Sequence, residues 1–159
     1  MIISFDLDET LFVNPEKIPT ENPLVFPLCR IYRDRLRAGT VELLTWINKS
    51  DIKLWIYTTS FRSERYIKSI FRYYGIRIDN IINGKRHAKE VQGNKKEIMP
   101  SKYPSKYHID LHVDDEISVY QNGIAHGFRV YLLKENDTYW TDNIKNEIIR
   151  VRRVFYENN

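Results

Sequence analysis

Short apolar runs alternate along this chain with longer segments in which apolar residues recur every three or four positions. The short runs are rich in β-branched and aromatic residues, which predicts strands. They cover residues 1–5, 54–57, 78–82, 108–113 and 128–133. The longer segments predict helices over residues 39–50, 63–75 and 117–126, and a last helix marked by Ile144, Ile148, Val151 and Phe155. This alternation predicts an α/β fold, a doubly wound and mainly parallel sheet with helices on both faces.

Two segments fall outside this pattern. Proline recurs at every fourth position from Pro15 to Pro27, which disfavours a helix in residues 11–37. We expect a loop or short hairpin there, a short flap that lies over the strand ends. Residues 84–107 are polar and lysine-rich, with little periodicity. The length suits a single core, and we interpret residues 1–159 as a single domain.

Polar side chains that suit catalysis follow three of the predicted strands. Asp6 and Asp8 come after the first strand, Thr58 after the second, and Asp114 and Asp115 after the fourth. In a parallel sheet these strand ends meet at one edge, where open α/β sheets bind ligands. Carboxylates crowded at that edge call for a cation, and Mg²⁺ prefers oxygen ligands. The D-x-D pair alone fits a surface turn or helix cap equally well, so the prediction depends on the joint pattern.

At these motifs the chain resembles the phosphatase branch of the haloacid dehalogenase (HAD) superfamily. The first motif of that family, an apolar strand followed by D-x-D-x-T, is matched by Ile2–Thr10. Its second motif, an apolar strand that ends in Thr or Ser, is matched by Leu54–Thr58. Its fourth, an apolar strand that ends in two acids, is matched by Ile109–Asp115. The resemblance spans about residues 1–133 and implies a Rossmann-like core.

The resemblance implies a role for each matched residue. Asp6 would be the nucleophile that attacks phosphorus and forms an aspartyl-phosphate, and Asp8 would be the general acid and base. Thr58 would bind the transferring phosphoryl group. Mg²⁺ would be held by the Asp6 carboxylate, the Asp8 backbone carbonyl and Asp115, with Asp114 in support. The implied activity is that of a Mg²⁺-dependent phosphomonoesterase.

The family's third motif is a lysine that neutralises the nucleophile and the phosphate, and the sequence marks it poorly. The candidates are Lys95, Lys96, Lys102 and Lys106. We favour Lys102, which lies twelve residues before Asp114 and is followed by a Tyr-Pro pair that suits a short turn into the strand.

Family members differ mainly in a cap domain that closes over the site. Only the 47 residues 11–57 separate the first two motifs here, and residues 59–101 are largely used by a helix, a strand and a loop. Neither interval has room for a full cap. A site without a cap implies a large substrate, such as a phosphoprotein or a nucleic-acid end, or a site closed by another subunit. Nucleotides and small phosphate esters are not excluded as substrates.

Composition limits the classes of partner and the cellular location that we expect. Lys and Arg outnumber Asp and Glu by 25 to 21, a mild excess that fits a phosphorylated substrate and leaves nucleic acid open as a partner. Cys29 is the one cysteine, which excludes an internal disulfide and a cysteine-based zinc site and favours a reducing, cytoplasmic location. No apolar stretch is long enough for a membrane helix, so we expect no membrane partner.

Two other functions match part of the pattern. A phospho-accepting receiver domain also combines an acidic pair, a Thr and a Lys. In receivers the acidic pair ends the first strand, the phospho-acceptor ends the third, and the Thr and Lys come later. Here Thr58 ends the second strand and the paired acids end the fourth, which argues against a receiver. A non-catalytic phosphate-binding or signalling protein on the same scaffold is the main alternative to an enzyme.

Two further features are interpreted as structural. Arg30, Arg33 and Arg37 fall at helical spacing, and we favour a solvated helix face over a grip on a phosphate backbone. His112 alternates with Val113 on the fourth strand and is expected to lie in the core with a hydrogen bond.

Overall fold

The computed structural model describes residues 1–93 and 99–157. Its strands are β1 (Ile2–Phe5), β2 (Lys53–Tyr57), β3 (Asn80–Ile82), β4 (Leu111–Asp114) and β5 (Val130–Leu132). They form one sheet in the order β3-β2-β1-β4-β5, and every neighbouring pair is parallel. The predicted parallel α/β sheet is therefore confirmed. The chain builds outward from β1 in one direction and then returns to build in the other, so the strand order reverses beside β1, where such sheets bind ligands.

The helices lie between these strands, except for the last, which follows β5. They are α1 (Leu28–Ile31), α2 (Thr40–Lys49), α3 (Glu64–Tyr73), α4 (Gly84–His87), α5 (Ile117–His126) and α6 (Trp140–Glu157). The four helices that periodicity predicts are all present, with ends shifted by a few residues. The segment with little periodicity, residues 84–107, contains three short helical turns. They are α4, a π-helical turn at Ala88–Gln92 and a 3₁₀ turn at Pro104–Tyr107. No helix in the described ranges has both the length and the apolar character that a membrane crossing needs.

Local sequence signals fix the helix ends. The Ser63 side chain accepts a hydrogen bond from the Tyr66 backbone N–H and caps the start of α3. Gly127 ends α5 in the left-handed conformation, at φ 70°, which glycine adopts without the steric cost that a Cβ atom brings. Both of these helix ends fall within one residue of the bounds that periodicity predicts.

The two faces of the sheet differ in character. One face carries Ile3, Phe5 and Val113 and packs against apolar residues of α2, α3 and α6 in the main core. The other face has a small apolar cluster around Tyr57, and it also carries buried polar residues, of which His112 is one. Because strand side chains alternate between faces, the polar residues lie on the side away from the main core.

Residues 11–37, which we call the flap, contain isolated antiparallel contacts. Phe12 pairs with Leu36, and Thr20 pairs with Arg37. Only α1 is helical within this segment, so the helical spacing of its arginines has no structural counterpart. Arg37 is buried and donates hydrogen bonds to the Lys134 and Glu135 carbonyls, and the expectation of a solvated helix face is wrong for it.

Gly84 opens α4 directly behind the loop that follows β2. A Cβ atom at this position would overlap the Thr59 carbonyl oxygen, and the Gly84 N–H donates to the Ser60 carbonyl at 2.8 Å. We predict that Gly84→Ala lowers the free energy of unfolding by about 1–3 kcal/mol, the usual cost of overpacking, because rigid backbone would have to move. Urea unfolding measures the change, with the exposed Lys85→Ala of the same helix as control. Equal midpoints for the two variants would contradict the prediction.

Candidate active site

Sheet pairing brings the first and fourth motifs together. The Asp6 N–H donates to the Val113 carbonyl at 2.9 Å, which extends the pairing of β1 with β4 by one residue. Asp6 therefore lies beside the end of β4, and carboxylate oxygens of Asp6, Asp114 and Asp115 lie within 4.8 Å of one another. The first two of these residues are buried and the third is partly exposed.

Lys102 supplies a positive charge inside this group. Its Nζ atom lies 3.0 Å from Asp6 Oδ2 and 2.5 Å from Asp114 Oδ2, and its side chain is 2% exposed. Lys106 is exposed and makes none of the ion pairs found in the described ranges. Two other candidates, Lys95 and Lys96, lie outside the described residues. Among the candidate lysines that the structure describes, Lys102 is the one that contacts the carboxyl cluster.

The charges in the cluster do not balance. Burial raises the pKa of Asp6, with Lys102 opposing the rise and Asp114 adding to it. Burial alone would raise the pKa of Asp114 as well, but His112 and Lys102 outweigh it and hold that pKa below its ordinary value. Burial also raises the pKa of Asp115. Three carboxyl groups face one ammonium, so the site favours a further cation.

An unpartnered oxygen shows where a cation would fit. Asp6 Oδ1 is buried and has no hydrogen-bond partner within the described part of the chain. An orphaned buried carboxylate oxygen is costly unless a cation or donor meets it. Carboxylate oxygens at this separation are the donor set that Mg²⁺ binds in proteins. The cluster therefore fits the divalent cation that the sequence predicts.

The paired acids of the fourth motif differ in their hydrogen bonds. Asp114 Oδ1 accepts from the Glu116 backbone N–H at 2.9 Å, and Oδ2 accepts from Lys102 Nζ and His112 Nε2. Asp115 Oδ1 accepts from the buried hydroxyl of Thr10 at 2.7 Å. Described donors thus engage both oxygens of Asp114 and one oxygen of Asp115.

Thr58 lies at the end of β2, on the same edge of the sheet. Its N–H donates to the Ile82 carbonyl at 2.9 Å, and its hydroxyl accepts from the Ser60 N–H at 3.1 Å. The side-chain amide of Asn83 donates to the Arg62 carbonyl at 3.0 Å. The loop after β2 is therefore held at both ends, and Thr58 is almost fully buried within it.

Asp8 lies apart from the buried carboxyl cluster and is paired with an arginine that sequence reasoning missed. Arg62 Nη1 lies 2.8 and 3.0 Å from the two oxygens of Asp8, while Nε and Nη2 donate to Asp34 at 3.1 and 2.9 Å. The guanidinium also stacks over the Phe12 ring at 5.4 Å, and the Tyr66 hydroxyl donates to Asp34. We call Asp8, Arg62 and Asp34 the carboxylate clamp. The only sequence signal for Arg62 is its place in the loop after β2.

The carboxylate clamp ties the flap to the site, because Asp34 belongs to the flap. We predict that Asp34→Asn speeds tryptic cleavage of the flap at its arginines, since local opening exposes the backbone to protease. Loss of part of an ion-pair network costs about 1 kcal/mol, which corresponds to roughly a fivefold rise in the open population. Limited proteolysis followed by mass spectrometry measures the rate, with the exposed Asp142→Asn as control. Identical cleavage rates for the two variants would show that the clamp does not restrain the flap.

Comparison with known proteins adds the fold family. No family model and no curated protein matches the chain. The chain is similar in structure to an inactive mutant of the HAD domain of effector protein Lem4 from Legionella pneumophila, with a TM-score of 0.53, 18% identity, and 99% of this chain and 97% of that one covered. It is also similar to a HAD-superfamily hydrolase, subfamily IA, from Geobacter sulfurreducens PCA, with a TM-score of 0.50, 14% identity, and coverage of 82% and 88%. The chain has the HAD-like fold that its motifs predict.

Proposed function

We propose that this protein is a Mg²⁺-dependent phosphomonoesterase that works through an aspartyl-phosphate intermediate. The observation that carries the proposal is the Lys102 ammonium held between buried Asp6 and Asp114, 3.0 Å from the first and 2.5 Å from the second. A surface turn or helix cap needs no such buried cation. A nucleophilic carboxylate that must meet an anionic phosphate does need one.

The residues divide the reaction between them. A carboxylate oxygen of Asp6 attacks phosphorus and forms the new P–O bond, and the ester oxygen leaves with its electron pair. Asp8 gives that oxygen a proton, and in the second step takes a proton from the water that attacks the aspartyl-phosphate, which releases inorganic phosphate and restores Asp6. Thr58 and Lys102 bind the oxygens of the transferring group.

The proposed metal ligands are those that the resemblance to the HAD phosphatases implies. Mg²⁺ would be held by the Asp6 carboxylate, Asp115 and the backbone carbonyl of Asp8, with Asp114 in support. The described donors engage both oxygens of Asp114, which favours Asp115 as the direct ligand of the pair. When bound, the cation supplies positive charge where the phosphoryl group becomes more negative.

The flap suggests the size of the substrate. In this proposal residues 11–37 stand in the place of a cap. Their antiparallel pairing consists of isolated bridges, such as Phe12 with Leu36. Asp8 has a side chain that is 51% exposed, so bulk solvent reaches the group that must meet the leaving oxygen. An open site of this kind suits a nucleotide, a nucleic-acid end or a phosphoprotein. A non-catalytic phosphate-binding protein on the same scaffold remains the alternative that the following experiment separates.

We predict that the protein releases phosphate from p-nitrophenyl phosphate only with Mg²⁺, and that Asp6→Asn lowers kcat by about 10⁴-fold or more, as loss of a nucleophile does. The amide cannot form the acyl phosphate, although it fills the same space. Phosphate release with Mg²⁺ and with chelator measures the effect, and Asp142→Asn on the exposed face of α6 is the matched control. A folded wild type that binds Mg²⁺ without turnover would favour the binding protein.

The identity of the neutralising lysine has its own test. We predict that Lys102→Met abolishes phosphate release, because it leaves two buried carboxylates without their shared cation and costs about 3–5 kcal/mol of stability as well. Lys106→Met is the control and should retain wild-type turnover. Circular dichroism separates loss of fold from loss of catalysis. Full activity of Lys102→Met, with loss in Lys95→Met or Lys96→Met, would move the role to the other segment.

A further inference from the structure

A chain of hydrogen bonds continues from Asp114 into the protein interior on the polar face of the sheet. His112 Nε2 lies 2.9 Å from Asp114 Oδ2, and His112 Nδ1 lies 2.8 Å from the hydroxyl of Ser4. All three residues are fully buried. Buried polar side chains are costly unless they are paired, and Ser4 and Asp114 supply the partners that let His112 be buried.

The chemistry of Asp114 and Ser4 decides how each can pair with the imidazole. The Asp114 carboxylate, beside the Lys102 ammonium, accepts hydrogen bonds, so His112 Nε2 carries a proton and donates to it. A hydroxyl can donate to Nδ1 or accept from it, so Ser4 satisfies this nitrogen whether or not it carries a proton. The imidazole is thus oriented by Ser4 at Nδ1 and orients Asp114 through Nε2.

The hold on Asp114 extends to the reacting residues. Asp114 Oδ2 accepts from both His112 and Lys102, and the same ammonium lies 3.0 Å from Asp6. A rotation of the Asp114 carboxylate would move the Lys102 ammonium away from Asp6. Within the described residues, the side-chain hydrogen bonds of His112 run to Ser4 and Asp114, so its influence on the reaction would pass through Asp114.

We propose that His112, oriented by Ser4, is a positioning residue that sets the affinity of the acidic cluster for its divalent cation and the placement of Lys102. The proposal rests on the proposed function of the same cluster. Asp114 supports the metal site, and removing the outer partners of such a site costs about 10- to 100-fold in metal affinity or activity. The sequence alone assigned His112 only a structural place in the core, and the two added contacts, to Ser4 and to Asp114, change that interpretation.

The test measures Mg²⁺ binding without requiring turnover. The thermal midpoint of the wild type is expected to rise with Mg²⁺ concentration, because a ligand of the folded state stabilises it. In His112→Leu the Mg²⁺ concentration that gives the same rise is expected to be about 10- to 100-fold higher. His112→Gln can still donate an N–H to Asp114 and is expected to fall between the two. Ser4→Ala removes only the hydroxyl and is expected to shift the requirement in the same direction.

The control is Leu111→Val on the same strand but on the opposite face, in the main core. It lowers stability without touching Asp114, so its Mg²⁺ requirement should match the wild type. The same variants are assayed for the Mg²⁺ concentration at half-maximal phosphate release and for kcat.

Unchanged Mg²⁺ requirements in Ser4→Ala and in the His112 variants, with an active wild type, would overturn the positioning role and leave the phosphatase intact. A wild type that neither binds Mg²⁺ nor releases phosphate would overturn both proposals. If His112→Leu does not fold, the Ser4→Ala and His112→Gln results decide the question alone.

Discussion

Lys102 places its ammonium between two buried carboxylates, Asp6 and Asp114, and the rest of the candidate site depends on this contact. Either carboxylate alone in this environment would cost several kcal/mol. The shared ammonium offsets that cost, yet the cluster with Asp115 keeps an excess of negative charge and an unpartnered oxygen on Asp6. The same arrangement that lets these acids be buried therefore leaves a negative charge that one more cation would balance.

The segment that carries Lys102 is held from the neighbouring part of the sheet. The Tyr57 hydroxyl accepts from the Tyr103 N–H at 2.8 Å, and its own proton is left for His87 Nδ1 at 2.6 Å. Burial raises the pKa of Tyr57, which keeps this hydroxyl protonated and able to serve both partners. Tyr57 of β2 thus fixes the backbone next to Lys102, and the long lysine side chain reaches from there to Asp6 and Asp114.

The site combines a rigid half with an accessible half. Asp6 and Asp114 lie at the edge of the sheet, where Lys102 contacts both and where His112 and the Glu116 N–H also donate to Asp114. Asp8 lies at the surface and is paired with Arg62. This division fits the chemistry proposed, since a metal centre and a nucleophile need fixed geometry while the group that meets the leaving oxygen needs access. The carboxylate clamp also makes the flap part of the site through Asp34.

The sequence by itself determined the α/β class, the main helices and the positions of Asp6, Thr58 and the paired acids, because periodicity and strand ends are local signals. Only the tertiary structure showed that Lys102 contacts Asp6 and Asp114, since this lysine lies in a segment without periodicity. It also decided the pairing of Arg62 with Asp34, 28 residues apart, and of Ser4 with His112, 108 residues apart. No local pattern encodes such contacts, because they form only when the parallel strands and the flap bring distant parts of the chain within hydrogen-bonding distance.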